Sequence, residues 1–162
     1  MFERLEMIKK ILLWCAVIFV SIQIYGFSSK TATESSGESG RIAHNIVEII
    51  NKFIEMEDNQ KDDVFFVVHH TIRKCAHLTE YFILTVLVFF LARNYGLKRS
   101  VCAIISLGYC IVFATTDEIH QLFIEGRSGE IRDVLIDFSG GVLANVCIFF
   151  GIKIKNKLFD KK

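Results

Sequence analysis

Residues 100–127 read SVCAIISLGYCIVFATTDEIHQLFIEGR. From Ser100 to Thr116 the stretch carries no charge, and then Asp117, Glu118, His120 and Gln121 crowd its end. An uncharged run of this length suits hydrocarbon, which takes about 20 residues to cross, with a range of about 17–25. Three more runs share the character. Ile11 to Phe27 has no charge, Cys75 to Ala92 carries Glu80 near its start, and Val134 to Ile152 carries Asp137 near its start. Four such runs as buried helices of a soluble bundle would leave too little polar surface. Hydropathy therefore predicts four transmembrane helices, over about 11–27, 75–92, 100–116 and 134–152.

Composition agrees. The chain has 162 residues, 52% of them hydrophobic, with mean hydropathy +0.41. Soluble domains are usually nearer 45–50% apolar. A net charge of +1 gives no reason to expect nucleic acid as a partner. Five cysteines without a C-x-x-C form neither a disulfide framework nor a zinc motif. The first run could be read as a signal peptide with Lys9 and Lys10 as its basic region. However, SIQIYGFSS lacks a small-x-small cleavage site, so a retained anchor is expected.

Basic residues set the expected orientation. Arg4, Lys9 and Lys10 precede the first run; Arg93, Lys98 and Arg99 follow the second; Lys153, Lys155, Lys157, Lys161 and Lys162 end the chain. With four crossings these segments share one side, and the positive-inside bias makes it the cytoplasm. The other side holds residues 28–74 and 124–133, whose cations are mixed with acids such as Glu34, Glu38, Glu48 and Glu55. SSKTATESSGESG, residues 28–40, reads as a flexible polar linker. In residues 41–57, Ile42, Ile46, Ile49, Ile50, Phe53 and Ile54 recur at helical spacing, which predicts an amphipathic extracellular helix. It would lie on the outer leaflet or cap the bundle. Asp62 and Asp63 suit the start of the next helix. The fold expected is thus all-α: one domain over 1–162, a polytopic bundle of four transmembrane helices with an amphipathic helix between the first two.

This topology brings three polar segments to one depth, near the outer boundary. Arg73, His77, Glu80 and Tyr81 fall on one helical face at the start of the second span, beside Lys74. Asp117, Glu118, His120 and Gln121 end the third span; Asp133 and Asp137 begin the fourth. Gly140, Gly141 and Ala144 then allow a neighbouring helix to approach closely, and Asn145 and Gln23 are expected to bond between helices. A charge at bilayer depth costs about 2.5–3.5 kcal/mol even on the lenient insertion scale, so these faces should point inward. An ion-pair network, with Arg73, Arg127 and Arg132 neutralising the acids, would explain part of the pattern structurally. Buried pairs stabilise weakly, because desolvation offsets most of the attraction. A binding or catalytic site is the alternative.

The segments RKCAHLTEY and DEIHQLFIEGRSGEIRDVLIDFSGG resemble the VanZ-like family of bacterial membrane proteins. Its pattern, roughly R-K-x-x-H-x-x-E-Y, then D-E-x-H-Q-x-F-x-x-x-R, then D-x-x-x-D, is met at Arg73, Lys74, His77, Glu80, Tyr81, Asp117, Glu118, His120, Gln121, Phe123, Arg127, Asp133 and Asp137. The likeness covers residues 73–145 and leaves out 28–60. It implies a cell-envelope role; the family takes its name from a protein linked to resistance to teicoplanin, a glycopeptide antibiotic.

Two chemistries suit these residue types. His77, Glu80, Asp117, His120 and Asp137 could ligate a divalent metal, although no compact zinc motif occurs. Without metal, Arg73, Lys74, Arg127 and Arg132 would hold a phosphate, with Tyr81, Gln121 and Asp133 lining the site. A His would then act as general acid or base beside an orienting carboxylate, with Asp117–His120 and Glu118–His120 as the candidate pairs and His77, Glu80 and Asp137 as the other catalytic candidates. The partner expected is a membrane lipid or lipid-linked cell-wall precursor, or a lipoglycopeptide antibiotic. A lipid enzyme, a lipid-binding protein without turnover and a purely structural bundle all remain open at this level.

Overall fold

The computed structural model describes residues 2–159, without the side chains of residues 2, 32–36, 38 and 159. Lys161, Lys162 and the side chains of Glu34 and Glu38 lie outside what is described. The chain is all helical among the described residues: α1 Phe2–Ser28, α2 Ala32–Phe53, α3 Asp58–Asn94, α4 Arg99–Gln121 and α5 Ile131–Phe159. Helices α1, α3, α4 and α5 are each long and apolar enough to cross a membrane. This is a multi-pass membrane protein.

The exposed surface shows why these sequences are so apolar. Leu12, Ile18, Phe19 and Ile22 of α1 point outward, as do Ile104 and Val112 of α4 and Val146 and Phe150 of α5. Such residues suit contact with acyl chains rather than water. The inward stripe is narrower. Val17, Ile24, Tyr81, Leu84, Val88, Leu91, Cys110 and Ala114 form one buried cluster; Phe89, Ala92 and Cys102 form a second.

Helix α3 is the hub, packing on α1, α2, α4 and α5, while α1 touches α4 least among these pairs. With no hydrophobic drive between helices in lipid, close backbone approach carries much of the association. Gly140 supplies it: a Cβ there would collide with the backbone carbonyl of Leu78 on α3. Asn145 donates to Ser106 Oγ at 3.2 Å, joining α5 to α4 as expected, whereas Gln23 faces outward.

Helix α2 departs from the sequence reading. It begins at Ala32, so most of the expected linker is helical, and it ends at Phe53 rather than near 57. No proline interrupts the stretch, and the neighbouring helix supports it: Ser39 Oγ bonds His69 Nε2 at 2.8 Å and Gly40 faces the Phe65 ring. Helices α2 and α3 form an antiparallel hairpin. The packing stripe of α2 is Ala43, Ile46, Val47 and Ile50, while Ile42, Ile49, Phe53 and Ile54 are exposed. Helix α3 likewise starts earlier than Asp62 and Asp63 suggest, where Glu57 N donates to Gln60 Oε1 at 3.1 Å. Its 37 residues rise about 55 Å, far more than the roughly 30 Å hydrocarbon core, so its first turns project beyond it.

Candidate functional site

At one end of the bundle the last turn of α1, the end of α4, the α4–α5 connection and the start of α5 meet α3. Gly126 lets that connection turn, since its φ of 74° is costly for any residue with a Cβ. The turn carries Arg127 back over the bundle.

The acids of α4 lie beneath this surface and are engaged. Ser28 Oγ donates to Asp117 Oδ2 at 2.7 Å, tying α1 to α4. Gln121 Nε2 donates to Asp117 Oδ2 at 3.3 Å and to Glu118 Oε1 at 3.0 Å. Glu118 Oε2 accepts the Glu130 amide at 2.9 Å, fastening the α4–α5 connection. Asp137 is buried on α5, where its carbonyl lies 3.8 Å from Cys110 Sγ. Asp137 Oδ2, Asp117 Oδ1 and the Tyr81 hydroxyl have no hydrogen-bond partner among the described residues.

Two adjoining cavities lie above them. One, of about 180 Å³, is lined by Phe27, Lys30, Ser39, Ile72, Ala76 and Glu80 together with Arg73, His77 and Arg127. The other, of about 210 Å³, shares those last three residues and adds His70, Lys74, Gln121, Gly126, Ser128, Glu130 and Asp133. His77 Nδ1 stands 3.6 Å from Glu80 Oε2.

Three cations lining these cavities have different roles. Lys74 forms an ion pair with Asp133, linking α3 to α5. Arg127 donates from Nε to Lys30 O at 3.1 Å, from Nη2 to Phe27 O at 3.3 Å and from Nη1 to Gln121 Oε1 at 3.4 Å. It thereby caps the carbonyl end of α1, where positive charge is favoured. Burial and the nearby Arg73 guanidinium lower the pKa of Arg127 from its ordinary value, while Asp117 and Glu118 act in the opposite direction. Arg73, on the wall common to both cavities, makes no hydrogen bond or ion pair among the described residues.

The structure therefore sorts the predicted residues. Arg73, Lys74, His77, Glu80, Gln121, Arg127 and Asp133 line the cavities. Asp117, Glu118, Tyr81 and Asp137 support them from beneath. His120 does not join them. Its ring stacks on Tyr25, with centroids 4.2 Å apart, and its nitrogens contact Tyr25 OH at 3.2 Å and Ser29 Oγ at 3.0 Å. Ser29 Oγ also donates to Tyr25 O at 2.7 Å. One arrangement satisfies all of these contacts: Tyr25 donates to Nδ1, Nε2–H donates to Ser29, and Ser29 donates to the carbonyl. His120 is thus a bridge between α4 and α1. Arg132 is exposed and lines neither cavity. Asp133 turns inward to Lys74, and a step of one residue carries Arg132 about 100° away around the helix.

The expected metal set is dispersed in the same way. Among the described residues no three His, Cys, Asp or Glu side chains are grouped to hold a metal ion. His77 and Glu80 face a cavity, Asp117 accepts from Ser28, His120 stacks on Tyr25, and Asp137 is buried on α5. The sequence reading also missed a contributor, the end of α1. Phe27 and Lys30 line a cavity, and Tyr25, Ser28 and Ser29 bind the α4 polar groups. The topology held the signal, because a first span running towards the site must deliver YGFSSK to the same depth as DEIHQ.

No curated protein and no solved structure matches the chain. The family model VanZ/LLP1 matches residues 8–152, which takes in the α2–α3 hairpin, all of α4, most of α1 and α5, and every residue lining the two site cavities. The chain belongs to the VanZ-like (VanZ/LLP1) family of membrane proteins.

Proposed function

We propose that this end of the bundle binds the anionic head of a membrane lipid or lipid-linked envelope precursor, with Arg73 as its principal contact. One observation carries the reading: Arg73 borders both cavities and has no hydrogen bond or ion pair among the described residues. A half-buried guanidinium without an internal anion loses hydration uncompensated unless an external anion completes it. Its planar fork matches a phosphate with two parallel hydrogen bonds. Lys74 and Arg127 add positive field while their own bonds hold the walls in place. Phe27, Ile72 and Ala76 give the first cavity an apolar side for the neighbouring part of the ligand.

The basic start of α1, the α3–α4 connection and Lys153, Lys155 and Lys157 of α5 lie at the opposite end, which supports N- and C-termini in the cytoplasm and a site facing outside. The VanZ-like resemblance adds the envelope setting and makes tolerance of a glycopeptide such as teicoplanin the natural cellular readout.

The test is titration of short-chain phosphatidylglycerol and phosphatidylcholine into purified protein. Wild type should prefer the anionic lipid. Arg73→Ala should weaken that binding about 10- to 150-fold, the equivalent of about 1.5–3 kcal/mol for a hydrogen bond to a charged group. Stability should stay nearly unchanged, since no internal partner is lost. Unchanged affinity in Arg73→Ala refutes the proposal.

A second reading, a membrane enzyme acting on such a lipid, draws on one feature. His77 and Glu80 place an imidazole and a carboxylate side by side on the wall that Arg73 shares, the pairing needed for acid–base work. Under that reading Glu80→Gln keeps lipid affinity and abolishes product. If no product forms with wild type and any outer-leaflet lipid, the binding reading stands alone.

A further inference from the structure

A separate cavity of about 250 Å³ lies between α1, α3 and α4 at the other end of the bundle. Trp14, Val17, Leu91, Tyr95, Ile105 and Tyr109 are among its walls. The polar edges of these aromatics are engaged elsewhere: Trp14 Nε1 donates to Tyr95 OH at 3.1 Å, and Tyr109 OH pairs with Ser21 Oγ at 3.2 Å. What faces the cavity is hydrocarbon. It sits along the seam where α1 and α4 make their sparse contact, so side-chain bonds and not close helix packing close it.

Three cations adjoin this cavity in space or in sequence. Lys10 Nζ sits 4.8 Å from the centroid of the Tyr95 ring. Lys98 and Arg99 are exposed, next to the wall residue Leu97, and make no ion pair among the described residues. Lys9 is already paired with Glu6 at 2.8 Å, and Arg93 with the Leu97 carbonyl. An apolar slot thus has Lys10 against one wall and Lys98 and Arg99 directly after another wall residue in sequence, and none of the three forms an ion pair among the described residues. Basic pockets between spans are suited to anionic headgroups.

We propose that this slot holds one hydrocarbon chain of an anionic phospholipid from the leaflet opposite the candidate site, with the lipid phosphate on Lys98, Arg99 and Lys10. A zwitterionic lipid fits the walls equally well but has no net charge to offer these cations, so headgroup preference is the distinguishing property. The assignment is independent of binding at Arg73. By helix rise the slot lies about 20 Å along α1 from Phe27.

Trp14 is the chain's single tryptophan, which makes the test direct. Purified protein is reconstituted in phosphatidylcholine vesicles containing equal mole fractions of either bromine-labelled phosphatidylglycerol or bromine-labelled phosphatidylcholine, and Trp14 fluorescence is read. Quenching should be stronger with the anionic lipid. Lys98→Gln and Arg99→Gln should each lower that preference on the order of fivefold, the factor that one charge near an anionic surface contributes. Ile105→Phe, which narrows the slot, should reduce quenching by both lipids. Arg73→Ala should leave the preference intact; if it abolishes the preference, the anionic contact is at the other end and the assignment fails. Equal quenching by the two lipids, or a preference that survives in the Lys98→Gln/Arg99→Gln double variant, also overturns it.

Discussion

Gly140→Ala offers the sharpest test of how this bundle is held together. Gly140 is buried on α5, and an added methyl would collide with the Leu78 carbonyl, an atom of the α3 backbone that cannot rotate away. Two opposing effects set the magnitude. Replacing glycine by alanine within a helix gains about 0.5–1 kcal/mol from backbone entropy. Overpacking costs about 1–3 kcal/mol, and the upper part of that range applies where the obstacle is main chain. The net expectation is destabilisation by about 1–2 kcal/mol. Gly108 on α4 and Gly151 on α5 have nothing within 4 Å of the same position, so Gly108→Ala and Gly151→Ala should show the entropy gain alone. The gap between the two classes is then about 2–3 kcal/mol. Reversible unfolding in mixed micelles, or steric trapping in bicelles, resolves a difference of that size. There is a functional corollary. Leu78 follows His77 on α3, so moving α3 off α5 should also loosen the Lys74–Asp133 pair and weaken binding at the Arg73 wall. If Gly140→Ala is as stable as Gly108→Ala, α3 and α5 do not approach as closely as described, and the geometry of both site cavities falls with that contact.

Three further perturbations probe the polar network. Ser28→Ala removes the 2.7 Å donor to Asp117 and leaves a buried carboxylate with one 3.3 Å bond; it should cost about 1–3 kcal/mol, read by the same unfolding assay, and an effect under 0.5 kcal/mol would contradict the burial of that pair. Glu118→Ala deletes the acceptor of the Glu130 amide. Hydrogen exchange at residues 126–130 should accelerate at least tenfold with little change in α5, and unaltered exchange would show that the connection is fixed by something else. Arg127→Ala removes a donor from each of the Phe27 and Lys30 carbonyls and should raise exchange in the last turn of α1, whereas Arg73→Ala should not. Equal effects from the two would erase the distinction drawn between a structural and a ligand-facing arginine.

The spans were legible in the sequence because hydropathy is a property of consecutive residues and needs no neighbour. The polar end of the bundle was legible as well, since alternating crossings assign each span end to a side. Helix α2 was misjudged for the opposite reason. ATESSGESG has weak helical preference of its own and is helical beside the Phe65 and His69 face of α3, a contact between residues some thirty positions apart.

The same division runs through the candidate site. Sequence alone determined that acids, imidazoles and guanidinium groups gather at one depth, because period and span length fix height along the bundle. It could not determine the rotation of each helix about its axis or the identity of its neighbour. Only the packing of α1 and α3 against α4 and α5 decided that Asp117 meets Ser28, that His120 stacks on Tyr25, that Arg132 turns away, and that Arg73 is left facing an open cavity. Whether a charged group is consumed by the fold or left for a ligand depends on which side chains from other helices reach it, and that is settled in three dimensions.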